Sequence, residues 1–187
     1  MIEVNNQCVG CAACQNVCRY EAIKMLRNDE GFRYPKIDKN KCVKCNQCEK
    51  VCPILKENTG SNFDYLTYAG YSSLVDKKTP CSSGAIYPIL VKSFFENYPD
   101  GVAFGVKIEE KNVCHFEALS YEEMIKGFGS KYVQSDLRDS FSKIKKYLQE
   151  EKRVLFSGTP CQTAALKTFL GEDFNEHLIT QTVYATE

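Results

Sequence analysis

Eight of the chain's 11 cysteines lie between Cys8 and Cys52, in two runs of identical spacing. Cys8, Cys11, Cys14 and Cys18 read C-x2-C-x2-C-x3-C, and Cys42, Cys45, Cys48 and Cys52 repeat that pattern 34 residues later. CVGCAACQNVC and CVKCNQCEKVC also share a valine after the first cysteine and another before the last. Disulfides, metal ligation and thiol catalysis all use cysteine. The N-terminus, Met-Ile-Glu-Val-Asn-Asn-Gln, lacks the basic stretch and apolar core of a secretory leader. A cytoplasmic chain is therefore expected, where thiols stay reduced and dense cysteine points to metal. Zinc prefers two C-x2-C pairs per ion, which leaves the third cysteine of each trio and the x3 step unexplained. The double run is the spacing that binds [4Fe–4S] clusters. A trio wraps three corners of a cube, and the fourth cysteine leads away to the other cube. This assigns Cys8, Cys11, Cys14 and Cys52 to one cluster, and Cys42, Cys45, Cys48 and Cys18 to the other. Gly10 permits close backbone approach and amide hydrogen bonds to sulfide.

Composition bounds the rest. The chain has 187 residues, 43% hydrophobic and 26% charged, with 24 Lys+Arg against 24 Asp+Glu. Zero net charge argues against a general nucleic-acid or membrane-surface binder. No apolar run approaches the ~20 residues of a membrane span. Residues 1–60 carry 10 Lys/Arg against 7 Asp/Glu, whereas residues 61–187 carry 14 against 17 and only three cysteines. The shift falls at the polar stretch Lys56-Glu57-Asn58-Thr59-Gly60-Ser61-Asn62. A two-cluster domain over 1–58 and a second domain over 63–187 are expected.

The elements that must position these thiols follow from pattern. Asp29-Glu30-Gly31 predicts a hairpin turn between short apolar pairs. In the second part, strands are expected over 66–71, 102–108, 113–119, 153–156 and 179–185. Helices are expected over 85–97, 121–126 and 137–150, the last capped by Asp136 and bearing Leu137, Phe141, Ile144 and Leu148 on one face. A further helix should start at Pro160 and close at Gly171. The fold class is α+β: a two-cluster domain followed by an α/β sheet of alternating strands and helices.

Residues 2–56 resemble bacterial dicluster ferredoxin domains. Pro53 follows Cys52 as that pattern asks, but Arg19 follows Cys18. Three later segments, CSSGAIYPIL (81–90), GFGSKYVQSDL (127–137) and LFSGTPCQTAAL (155–166), resemble the coenzyme F420 hydrogenase/dehydrogenase beta-subunit family, as does DEGFRYPKID (29–38). That resemblance implies an iron–sulfur flavoprotein that binds FAD and exchanges hydride with F420 or a similar small acceptor. A redox partner protein or a ferredoxin would be its electron partner, in the cytoplasm of an anaerobe. Members of the family run on past the GTPCQ helix and its strand. By that measure the chain ends, at Glu187, with its flavin-binding part incomplete. A non-catalytic two-cluster carrier, or a remnant of a longer enzyme, is the alternative.

The residues are compatible with that chemistry. Ser82, Ser83 and Gly84 at a helix start offer hydroxyls and N–H groups to an FAD pyrophosphate, or simply cap the helix. Lys131, beside Tyr132 and Gln134, places a cation near the N1–C2=O edge of a reduced flavin, unless it is a surface lysine. Gly158, Thr159 and Pro160 form a strand-to-helix turn that can approach a nucleotide. Cys161, early in that helix, has a dipole-stabilised thiolate. Its open roles are ligand of a further cluster, redox thiol, flavin contact or inert packing. Cys161 and Lys131 are the candidate catalytic residues. Cys114 sits in a strand and is expected to pack, Cys81 is expected to be inert, and His115 and His177 have no companion ligands nearby.

Overall fold

A computed structural model describes residues 7–56, 68–72, 81, 85–171, 174 and 176–183. The fold is mixed α/β. It begins with α1 (Ala13–Val17), a hairpin of β1 (Ile23–Arg27) and β2 (Arg33–Ile37), and α2 (Gln47–Lys50). The hairpin pairs Ile23 with Ile37 and Met25 with Pro35, turning Ile23, Met25 and Pro35 inward and Lys24 and Leu26 outward. Its turn is as expected. The Asn28 carboxamide accepts the Phe32 N–H at 2.8 Å, and Gly31 takes φ +89°, a conformation that suits a residue without Cβ.

The second part contains α3 (Ile86–Asn97), β3 (Val102–Glu109), β4 (Asn112–Ala118), α4 (Tyr121–Met124) followed by a 3-10 turn (Ile125–Gly127), α5 (Ser140–Gln149), β5 (Val154–Gly158), α6 (Pro160–Leu170) and β6 (Leu178–Thr182). The four strands stand in the order β4-β3-β5-β6. β3 and β4 form an antiparallel hairpin, and β5 runs parallel to both β3 and β6. Every residue of β5 is buried, as expected of an inner strand with both faces covered. The β5–α6–β6 passage is a parallel pair joined by a helix.

Strand alternation divides the core. Val102, Phe104, Val154 and Phe156 face Phe141, Ile144 and Leu148 of α5 and Ala165 and Leu166 of α6. Their neighbours Ala103 and Leu155 point the other way, onto Val91 and Phe94 of α3 with Met124 and Phe128. Ala12, Ala13, Cys14, Ile23, Met25 and Val51 belong to the first of these clusters. The cysteine-rich part thus packs on the α5/α6 face of the sheet. The polar stretch where composition shifts lies mostly outside the described residues.

Two expected elements differ. Residues 68–72 form no strand; Tyr68 and Tyr71 stand 85% and 84% exposed, and no strand among the described residues pairs with them. Asp136 does not cap α5, which starts behind Asp139. Its N–H donates to the Val113 carbonyl at 2.8 Å and its carbonyl accepts the His115 N–H at 2.8 Å, so Asp136 extends the edge of β4. Its carboxylate binds Arg33 of the hairpin at 2.9 Å. Leu137, Phe141, Ile144 and Leu148 are all buried, as their spacing predicts. Of the last expected strand, β6 forms, and residues 184–187 lie outside the described set. Among the described residues no helix is long and apolar enough to cross a membrane.

His115 is buried inside this sheet, stacked on Phe156 at 5.4 Å. Its Nε2 meets the Ser157 carbonyl at 3.2 Å, and its Nδ1 has no partner among the described residues. Burial holds the imidazole down to about 4 from 6.5. The unfolded chain takes up this proton near 6.5 and the folded chain resists it, so the stabilisation is complete above 6.5 and lost as pH falls toward 4. Urea unfolding should show about 1.3 kcal/mol less stability from this residue at about pH 5.5 than at about pH 7.5. In His115→Gln that increment should vanish; an unchanged pH slope in the variant would assign the effect elsewhere.

Candidate metal centres

The internal repeat is written into the backbone. Gly10 and Lys44 both take positive φ, +64° and +54°, as do Ala12 and Asn46, +56° and +58°. These pairs are 34 residues apart, as are the starts of α1 and α2. Left-handed residues among right-handed ones turn successive N–H groups into one concavity, which suits sulfide and thiolate. The backbone N–H groups of Gly10, Ala13 and Gln15 lie where they favour the thiolates of Cys8, Cys11 and Cys14. The Ala22 N–H reaches Cys18 Sγ at 3.4 Å. Holding three left-handed residues other than glycine costs of order 1 kcal/mol each, a strain concentrated where the thiols are displayed.

The two runs cross over in space. Cys18 lines a single cavity with Cys42, Cys45 and Cys48, whose walls also include Ile23, Ile37, Val43 and Tyr20. On the other side, Cys52 stands close enough to Cys8 and Cys11 to oppose their ionisation. Burial raises all three thiols of the first trio: Cys8 upward, Cys11 to about 11 and Cys14 to about 12, with neighbouring sulfurs adding like charge. Such thiols keep their protons at neutral pH until a cation compensates the thiolate. Among the described residues no three His, Cys, Asp or Glu side chains converge as a single-ion site would require. Four thiols spread around a cavity fit a group with four separate corners.

The second part is bolted onto the first trio. The Gln134 carboxamide donates to the Val9 carbonyl at 3.3 Å and accepts the Arg33 N–H at 3.1 Å. Asn16 of α1 donates to the Arg138 carbonyl at 2.9 Å, and the Ser142 hydroxyl of α5 donates to the Asn16 carbonyl at 3.2 Å. Cys161, the second residue of α6, has its sulfur 3.2 Å from the Thr159 hydroxyl and stands near enough to Cys11 to oppose its ionisation. Of the eleven cysteines, Cys161 alone comes from the sheet part to this trio among the described residues.

The other expected site residues divide. The Lys131 ammonium donates to the carbonyls of Gly127, Phe128 and Gly129 at 2.6, 2.8 and 3.0 Å, and burial lowers its pKa. Tyr132 is 84% exposed. Gly158 ends β5, Thr159 caps α6 with Gln162 as its capping-box partner, and Pro160 opens the helix. The Gln162 carboxamide accepts the Thr159 N–H at 3.0 Å and donates to the Ser135 hydroxyl at 3.0 Å. Ser82, Ser83 and Gly84 lie outside the described residues, and Cys81 is exposed. Cys114 is fully buried, the packing residue expected. Sequence reasoning missed the joint made by Asn16, Arg33, Gln134 and Asp136. Each is an ordinary polar residue whose partner lies about a hundred positions away, and no local pattern marks it.

Residues 7–54 match the 4Fe-4S dicluster domain. No curated protein matches the chain. Among solved structures, a chain of the F420-reducing [NiFe] hydrogenase complex from Methanosarcina barkeri, described as a xenon derivatization, aligns at 22% identity with a TM-score of 0.38. The alignment covers 47% of this chain and 30% of that one, so this chain spans under a third of that relative's length. A likeness that loose carries no argument about activity. The dicluster match spans all eight cysteines of the repeat, and the N-terminal part is an iron–sulfur domain of the kind that transfers electrons.

Proposed function

We propose that the chain is an iron–sulfur flavoprotein oxidoreductase. In this reading it passes electrons between two [4Fe–4S] clusters and FAD, with hydride exchange to coenzyme F420 or a similar acceptor. Cys8, Cys11, Cys14 and Cys52 hold the first cluster; Cys18, Cys42, Cys45 and Cys48 hold the second. One observation supports joining flavin to cluster. Two of the three sheet-part segments that carry the family resemblance reach the first trio, residues 127–137 through Gln134 on Val9 and α6 through Cys161, near enough to Cys11 to oppose its ionisation. Cofactors held by adjoining segments are neighbours, which electron transfer between them requires.

The chain's own residues have definite tasks in this scheme. Backbone N–H groups on the cysteine sulfurs tune the cluster potentials. Ser82, Ser83 and Gly84 bind the pyrophosphate, Gly158, Thr159 and Pro160 border the nucleotide, and Tyr132 flanks the ring. Lys131, held by three backbone carbonyls, would offer its charge to a reduced flavin, where a cation favours added negative charge. Cys161, near Cys11 and at the start of α6, would lie on the side of the first cluster that a flavin held by α6 would face. A bound flavin supplies the interconversion of single electrons and hydride.

A carrier without flavin is the second reading, and a specific observation favours it: Lys131, Gln134 and the Thr159 N–H are already engaged within the protein. Anaerobic purification decides. The oxidoreductase carries about eight irons and eight sulfides per chain together with fluorescent flavin on release. Iron without flavin, even after reconstitution with FAD, leaves the carrier. Zinc in place of iron removes both.

A further inference from the structure

We propose that the rim of the second cysteine cavity is the docking surface for an acidic one-electron carrier protein. This names the electron partner of the function proposed above and rests on it. The two cysteine sites differ in exposure. Each site has one buried thiol, Cys14 or Cys48, and half-buried ones, but the second site alone has an exposed one, Cys45. Electrons from another protein therefore have their open approach at the second site.

The charge near that approach is mostly positive, although Glu21, Asp38 and Glu49 also adjoin lining residues. Arg19, Lys24, Lys36, Lys41, Lys44 and Lys50 are all exposed, and each either lines the cavity or lies within two residues of one that does. No ion pair among the described residues involves any of them. Between Cys18 and Lys56 there are ten Lys/Arg against five Asp/Glu (Glu21, Asp29, Glu30, Asp38 and Glu49), in a chain whose total is zero. Lys24 and Lys36 are direct cross-strand partners in the hairpin, both turned to solvent. Like charges placed opposite one another destabilise a strand pair, so this arrangement weakens the hairpin that carries it. Near these cations Val43 and Tyr20 are each 53% exposed. An apolar centre with a charged rim is the anatomy of a protein contact, and a small one suits a transient redox encounter. Only a partner with carboxylates around its own redox centre complements it.

Each productive encounter moves one electron: the reduced carrier is oxidised and the cluster reduced, with no proton or bond exchanged. The test uses the full iron-loaded chain, with a reduced acidic [2Fe–2S] ferredoxin as probe and stopped-flow absorbance as readout. At low ionic strength the second-order rate should fall about tenfold in the Lys24→Glu/Lys36→Glu variant, and wild type should slow as salt is added. This variant keeps a like-charge pair across the hairpin, so hairpin stability stays matched. Lys92→Glu, on α3, should react as wild type does. With basic cytochrome c oxidising the reduced chain, the double variant should be faster than wild type. A wild-type ferredoxin rate indifferent to salt, an equal loss in Lys92→Glu, or cytochrome c slowed by the double reversal would overturn the docking surface while leaving the cluster assignment intact. A chain that takes up no iron at all removes the functional reading, and the docking with it.

Discussion

Replacing Cys8 and Cys52 together with alanine leaves about half the iron in the protein, whereas replacing Cys8 and Cys18 together removes nearly all of it. The two variants delete the same number of thiols and differ only in which fourth ligand is lost. If each run held its own cube, Cys8 and Cys18 would share a cluster, and the outcomes would be reversed. The crossed arrangement has two supports. Cys18 lines a cavity with Cys42, Cys45 and Cys48, and Cys52 lies beside Cys8 and Cys11. Iron and acid-labile sulfide per chain, measured after anaerobic reconstitution, distinguish the alternatives. The effect is large because an incompletely ligated cube exposes an iron corner, and because buried thiols such as Cys11 and Cys14 stay protonated once the compensating cation is gone. Half-loading by the Cys8/Cys18 variant would sink the crossing.

How much of this was legible beforehand depends on distance along the chain. The spacing of the cysteines carries the site because ligand geometry is mostly local: three thiols within seven residues serve one cluster, and the fourth, on the following turn, serves the other. The hairpin at Asn28–Phe32, the β3/β4 pair and the buried face of α5 are likewise local patterns, and they appear as expected. Misreadings arose where a residue serves a distant partner. Asp136 has the composition of a helix cap, but the Arg33 guanidinium and the edge of β4 claim it, and Asp139 takes the cap position. Gln134 sits in a segment that resembles a flavin-binding one, and no pattern announces that its carboxamide also joins Val9 to Arg33. No periodicity encodes the packing of the cysteine-rich part against α5 and α6. It emerges only when two surfaces meet, and Ala12, Ala13 and Cys14 look no different in sequence from the residues of an independent small domain.

That union predicts an asymmetry between the two halves of the repeat. Gly10 and Lys44 hold equivalent places at nearly the same positive φ, yet one is glycine and the other carries a long side chain. Conformation alone therefore does not demand glycine at this position. The surroundings do: a Cβ at Gly10 would stand 2.4 Å from Gln134 Nε2 and 2.7 Å from the Arg33 carbonyl oxygen. The carboxamide can swing aside only by giving up Val9 and Arg33, and the carbonyl belongs to the backbone of β2 and cannot swing at all. Gly10→Ala should accordingly cost about 3 kcal/mol, roughly 1 from the left-handed backbone and the remainder from overpacking and broken hydrogen bonds. Gly10→Ala combined with Gln134→Ala should recover only part of this, since the Arg33 carbonyl still obstructs. Lys44→Gly, relieved of strain and contacting no second layer, should stay within about 1 kcal/mol of wild type. Thermal unfolding followed by far-ultraviolet circular dichroism, with cluster absorbance recorded alongside, reads all three. In Gly10→Ala the bleaching of the first cluster should precede the loss of the sheet, because its loop loses its hold on the sheet part. Equal stability in Gly10→Ala and Lys44→Gly would mean that the two halves of the repeat are held alike, and that the joint through Gln134 contributes nothing to the first cluster.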